Sequence, residues 1–302
     1  MQNKRLRERD DMSSKIVFGL TPSEKLARSI AKKIRCSYKT IKTSKFPDGE
    51  FHIRFPISVR NKELIIVQSF VDPNEKIVEL LFIGNTAKEL GARKVTLVAP
   101  YLAYMRSDRR FHKGEVVSSR VLARVLGSCV DEVLTIDPHL HRIKKLSEIF
   151  SIRAKKLTSV KLIATFIKKH YKRSIIIGPD EESFQWARAV AKELKTKAYV
   201  LKKKRIGSRA VVIKADDLKI KNQVVVIVDD IISTGNTMIE TIKDAKKAKA
   251  KRIYCICIHG LFVENAYKRI KDAGAKEIVT TNTIPNKNSL IDVSSLIAGA
   301  IK

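Results

Sequence analysis

Apolar residues in this chain gather into short, nearly continuous runs, separated by helix-length stretches that carry one apolar stripe. The runs are Lys15–Phe18, Leu64–Gln68, Val95–Ala99, Val133–Ile136, Ser174–Ile177, Ala198–Leu201, Val224–Val228, Arg252–Ile258 and Glu277–Thr281. They are rich in valine and isoleucine, as strands buried on both faces are. Among the intervening stretches, Pro22–Ile34 follows Thr21, with proline at the first helical position. Glu75–Leu90 sets Ile77, Leu80, Leu81, Gly84 and Ala87 on one stripe, and Glu182–Leu194 and Thr237–Ala248 are similar. Strand–helix–strand alternation predicts an α/β fold with mainly parallel sheets flanked by helices.

The pattern repeats. Leu64–Gln68, a helix and Val95–Ala99 form one unit; Val224–Val228, a helix and Arg252–Ile258 form another. In each unit the strand starts lie roughly 30 residues apart, enough for a right-handed crossover. Two similar domains are therefore expected. A polar tail covers 1–14, the first domain 15–155 and the second 156–286. A closing helical segment over 287–302 would pack back on the first domain.

Length and charge narrow the function. The chain has 302 residues, of which 44% are hydrophobic, and 61 Lys plus Arg face 31 Asp plus Glu for a net charge of +30. That excludes wholesale disorder and favours anionic partners such as phosphorylated metabolites or nucleic acid. The cysteines at 36, 129, 255 and 257 show no zinc-finger spacing. Cys255 and Cys257 alternate along an apolar run and read as core thiols, which suits a reducing cytoplasm. No stretch approaches the ~20 apolar residues of a membrane span, and the first eleven residues are too polar for a secretory leader.

The most informative stretch is Val224-Val-Val-Ile-Val-Asp-Asp-Ile-Ile-Ser-Thr-Gly-Asn-Thr237. A buried strand runs into two carboxylates and then into a helix start, where open α/β sheets bind ligands. Ser233, Thr234 and Thr237 offer hydroxyl donors, and Gly235 with Asn236 opens the helix that favours an anion. That half suits a phosphate monoester. Asp229 and Asp230 instead suit sugar hydroxyls or a hydrated Mg²⁺. Together they describe ribose 5-phosphate. Neither a P-loop nor a dinucleotide fingerprint occurs.

This loop resembles the phosphoribosyl-pyrophosphate loop of type I phosphoribosyltransferase folds, and further motifs choose within that group. Phe46-Pro-Asp-Gly-Glu50 resembles the nucleotide loop of the ribose-phosphate pyrophosphokinase family. Arg106, Ser107 and Asp108 lie in a segment similar to the family's second ATP segment, with Ser107 where the family usually has glutamine. Asp137-Pro-His139 resembles its metal-binding segment, with Pro138 replacing leucine. Asp180 matches an acid that assists Mg²⁺ binding. Lys203 and Arg205 match the Lys-x-Arg of a mobile flap. The resemblance runs from about Lys15 to Pro285, with its motifs in the family's order.

The resemblance implies a diphosphotransferase acting on ATP and ribose 5-phosphate. Lys203 and Arg205 would be catalytic. Phe46, Asp48, Gly49, Glu50, Arg106, Ser107 and Asp108 would hold ATP. Arg205 and Asp229, Asp230, Ser233, Thr234, Gly235, Asn236 and Thr237 would hold ribose 5-phosphate, with His139 and Asp180 at Mg²⁺. It also implies a homo-oligomer. No membrane partner is expected, and without a zinc finger, RNA-binding aromatic signature or helix-turn-helix neither is nucleic acid. The competing reading is a non-catalytic regulator or nucleic-acid-binding paralogue on the same fold.

Overall fold

The computed structural model describes residues 14–110, 112–140, 142–200 and 219–301. The polar tail up to residue 13 and the end of the Ala198–Leu201 run lie outside them. Two compact units result: one runs up to Leu157 and includes the segment from Ser294, and the other is Thr158–Val293.

The first unit begins with β1 (Lys15–Gly19), α1 (Glu24–Ile34), β2 (Ser37–Lys39), β3 (Lys42–Lys45) and β4 (Phe51–Arg54). It continues through β5 (Glu63–Val67), α2 (Pro73–Glu89), β6 (Lys94–Ala99), α3 (Ser118–Cys129), β7 (Glu132–Ile136) and β8 (Arg153–Leu157). Its six-stranded sheet has the order β2-β1-β5-β6-β7-β8, parallel throughout. β3 and β4 form a separate antiparallel hairpin. Phe18, Leu64, Ile66, Leu97 and Leu126 are among the side chains filling the core.

The second unit comprises α4 (Val160–His170), β9 (Ser174–Gly178), α5 (Phe184–Leu194), β10 (Ala198–Val200), β11 (Val224–Ile232), α6 (Asn236–Lys247) and β12 (Arg252–Gly260). α7 (Ala266–Ala273), β13 (Glu277–Thr281) and β14 (Ser289–Ile291) complete it. The order β10-β9-β11-β12-β13-β14 is again all parallel. With the hairpin set aside, it repeats the strand order of the first unit, so the duplication extends to topology. Cys255 and Cys257 are buried free thiols in a core with Val225, Ile227, Met238, Ile242 and Ile270.

Three details differ from the sequence reading. β11 continues past Val228 to Ile232, because its ladder with β12 runs on through Asp229–Cys257, Ile231–His259 and Ile232–Gly260. Ser289–Ile291 forms a strand on β13 rather than the start of a helix, and α8 (Ser294–Ile301) begins only after it. Ser37–Lys39 and Arg153–Leu157 are edge strands, too short or too charged to give an apolar run. α8 belongs to the first unit. It buries Ile297 and receives a hydrogen bond from Ser29 Oγ to Ser294 Oγ at 3.0 Å.

Candidate functional site

In each sheet the strand order reverses once, between β1 and β5 and between β9 and β11. Open α/β sheets bind ligands beyond the carboxyl ends of strands at such a point. The two units fill it differently.

In the second unit, β9 leads to Asp180 and β11 to Asp229 and Asp230, both of which are buried. The Asp230 backbone N–H donates to Asp229 Oδ1 at 2.9 Å. Burial pushes the Asp229 carboxyl well above the usual carboxylate range, and the charges of Asp230 and Asp180 push it further. Carboxylates that stand together out of water need hydroxyl donors or a cation to stay charged. Asp180 is partly committed: its Oδ1 accepts the Ser183 N–H at 2.8 Å, just ahead of α5. Among the described residues no three His, Cys, Asp or Glu side chains cluster to hold a metal ion. Oxygen donors of this kind suit a hard cation such as Mg²⁺.

Beyond the acids, Ser233, Thr234 and Gly235 lead into α6. Gly235 caps that helix with φ 78°, and its carbonyl accepts the Ile239 N–H at 2.9 Å. A Cβ there would sit 2.8 Å from Ile270 Cδ1 and 3.3 Å from Ala266 Cβ. Only glycine fits both the left-handed backbone and the close approach of α7. α7 also supplies a residue that the sequence reading missed. Arg269 donates from Nη1 to the Thr234 carbonyl at 3.2 Å and from Nη2 to Asn236 Oδ1 at 2.6 Å. Because guanidinium only donates, the Asn236 amide must face it with oxygen and keeps its N–H donors for another partner. Arg269 lies more than thirty residues along the chain from both contacts, so no local spacing announces it.

At the matching point of the first unit, Gln68 and Ser69 stand where the second has its two aspartates. Ser69 N–H donates to Ser23 Oγ at 2.9 Å and Gln68 Nε2 to Glu79 Oε2 at 3.2 Å. Ser23, Gln68, Ser69 and Glu79 are all buried, so these polar groups fill this end of the sheet, with Gln68 Oε1 left without a partner among the described residues.

The other candidate residues of the first unit lie on loops. Phe46, Asp48, Gly49 and Glu50 form the exposed tip of the β3–β4 hairpin. It is closed by Phe46 N–H to the Glu50 carbonyl at 2.8 Å and by Glu50 N–H to Asp48 Oδ1 at 3.2 Å. The Phe46 ring is 52% exposed, available for stacking. Arg106 is exposed beyond β6. Ser107 Oγ donates to the Val116 carbonyl at 2.9 Å. Asp108 is buried, with Oδ1 3.0 Å from Arg142 Nη1 and Oδ2 accepting the Arg142 N–H at 3.1 Å. Its carboxylate thus fixes the loop. Alongside runs a groove of about 790 Å³ whose lining includes Arg109, Arg110, Arg120 and Arg124. His139 is half-buried beyond β7, two residues after Asp137 with its left-handed backbone. Lys203 and Arg205 lie outside the described residues.

Two family models cover the chain. The N-terminal domain of ribose phosphate pyrophosphokinase matches residues 15–129, and the phosphoribosyl transferase domain matches 146–297. The ribose-phosphate pyrophosphokinase of Sulfurisphaera tokodaii is 34% identical over 293 residues, covering 95% of this chain and 100% of that protein. The chain belongs to the ribose-phosphate pyrophosphokinase family. The family member from Methanothermobacter thermautotrophicus is likewise 34% identical, over 288 residues with the same coverage. The crystal structure of phosphoribosylpyrophosphate synthetase from Mycobacterium smegmatis shares the fold, with a TM-score of 0.84 at 23% identity over 95% of this chain and 97% of that one.

Proposed function

We propose that this chain transfers the β,γ-diphosphoryl group of ATP to the 1-hydroxyl of ribose 5-phosphate, giving phosphoribosyl pyrophosphate and AMP. The observation that carries the reading is the buried Asp229–Asp230 pair running directly into a hydroxyl-lined helix start, in a chain that spans its family from end to end. The carboxylates accept hydrogen bonds from the ribose hydroxyls. Ser233, Thr234, Asn236 and Thr237, with the backbone N–H groups of the Gly235 turn, receive the 5-phosphate. The sugar's 1-hydroxyl oxygen then bonds to the β-phosphorus, the bond from that phosphorus to the α,β-bridging oxygen breaks, AMP leaves with the bridging oxygen, and the hydroxyl proton is released. Positioning and charge neutralisation carry most of such a rate.

Phe46, Asp48, Gly49, Glu50, Arg106 and Ser107 are assigned to ATP, Asp108 to fixing their loop, and Lys203 and Arg205 to the transferring group. His139 and Asp180 are each assigned to holding Mg²⁺, which would supply charge neutralisation for the phosphates. A homo-oligomer in the cytoplasm completes the reading. The described helices include none long and apolar enough to cross a membrane.

The test is AMP formation by purified protein from ATP and Mg²⁺, with and without ribose 5-phosphate. AMP that depends on ribose 5-phosphate, with no free pyrophosphate or ADP, is the expected result. Absence of turnover in the presence of phosphate would overturn the assignment. A Lys203→Ala variant should lose mainly kcat, and an unchanged kcat would remove Lys203 from catalysis.

A further inference from the structure

All six strands of the second unit run parallel, so their amino ends share one edge of the sheet. That edge faces away from Asp229 and Asp230. From Val224 at this edge to Asp229 along β11 is about 17 Å at 3.3 Å per residue. Each of five successive connections into this edge carries a cation close before its strand: Arg173 before β9, Lys197 before β10, Lys221 before β11, Lys251 before β12 and Lys276 before β13. All five are exposed, and none forms an ion pair or side-chain hydrogen bond with a described residue. The helices α4, α5, α6 and α7 end at the same edge, each with a basic last turn. Their carbonyl ends carry negative partial charge, which lowers the self-repulsion of the row without neutralising it.

We propose that this edge is a sequence-independent binding surface for the phosphate backbone of duplex nucleic acid. In space the five strands lie side by side in the order β10, β9, β11, β12, β13. At about 4.8 Å per strand the row of cations spans about 19 Å. A duplex carries one charge per ~1.7 Å of axis over its two strands, so that span covers about eleven phosphates, of which about half lie on the side of the duplex that faces the row. The large exposed apolar side chains among the described residues, such as Phe46, Phe82, Val116 and Leu290, belong to other segments. Because a groove at this edge is lined by Ile167, Tyr171 and Leu194 among basic residues, the choice of a nucleic-acid backbone rests on the row of cations, and tighter binding to anionic lipid vesicles than to DNA would overturn it. The proposal departs from the expectation, drawn from missing motifs, that nucleic acid is not a partner, because backbone contacts need no motif.

The experiment measures anisotropy of a labelled 20-base-pair DNA of random sequence between 50 and 200 mM salt. Five contacts predict a log–log salt slope of about 4.5, or roughly a 500-fold loss of affinity over that range. Replacing Arg173, Lys197, Lys221, Lys251 and Lys276 by glutamine should lower the slope below about 1. A control with the same charge loss on the first unit, at Lys25, Lys32, Lys33, Arg35 and Arg60, should leave most of the slope. Both variants should keep ribose-5-phosphate-dependent AMP formation, which also reports that they are folded. If the quintuple variant does not fold, Lys197→Gln, Lys221→Gln and Lys251→Gln together should lower the slope by about 3. No binding at 50 mM salt, or equal losses in the edge and control variants, would overturn the proposal.

Discussion

At Asp229 the chain keeps an ionisable carboxyl in a place that penalises its charged form. The folded carboxyl is raised above the ordinary value, first by burial and then by Asp230 and Asp180. A carboxyl raised in this way favours the fold when protonated. Its stabilising contribution is full below the unfolded value near 3.9 and is lost as pH rises through the folded value. Asp229→Asn should therefore be more heat-stable than the wild type at pH 7 in the absence of ligands, by about 1–3 kcal/mol. That difference should shrink on acidification toward pH 4. The same variant should lose about 100-fold or more in kcat. Calorimetry across pH, paired with AMP formation, checks both halves; a variant less stable at pH 7 would refute the repulsion argument. Arg269 makes the opposite kind of contribution, holding Thr234 and Asn236 without belonging to the loop. Arg269→Gln should raise the KM for ribose 5-phosphate about tenfold, consistent with one charge-assisted hydrogen bond, with little change in kcat. Arg269→Lys should recover only part, because a single ammonium cannot reproduce the fork.

On the scale of elements, the loop after β11 works because α7 supports it from below. Gly235→Ala would force a Cβ against Ile270 and Ala266 and strain the left-handed backbone, costing about 1–3 kcal/mol. Thermal unfolding and ribose 5-phosphate binding should both weaken. What the sequence made legible follows the same division. The strand-to-acid-to-helix run of Val224–Thr237 lies in one continuous segment, so periodicity and residue chemistry could expose it. The edge strands Ser37–Lys39 and Arg153–Leu157 were hidden because an edge need not be apolar. The Asp108–Arg142 pair and Arg269 were hidden because they depend on segments distant in the chain. The role of Asp108 illustrates the gap: motif resemblance assigns it to ATP, while its carboxylate is occupied by Arg142. The filled switch point of the first unit was equally invisible, since Gln68 and Ser69 look unremarkable until Ser23 and Glu79 are placed against them.

For the molecule as a whole, the duplication carried one topology into two roles. The second sheet kept acids at its switch point, and the first filled the same place with neutral polar groups and Glu79. The units are joined twice in the chain, once at Leu157–Thr158 and again at Val293–Ser294. Ile297→Ala on α8 should destabilise the first unit by roughly 2–5 kcal/mol, read as a lower unfolding temperature. If instead the transition of the second unit alone shifted, the placement of α8 would be refuted. The return of the chain to its first unit also sets a timetable for synthesis. The ribosome makes β1 to β8 first, then the whole of Thr158–Val293, and only then α8. At about 5–20 residues per second, the nascent first unit waits on the order of ten seconds with the α1 surface that receives α8 uncovered. During that interval the growing polypeptide depends on chaperones, or on its own solubility, to keep the patch from the wrong neighbour.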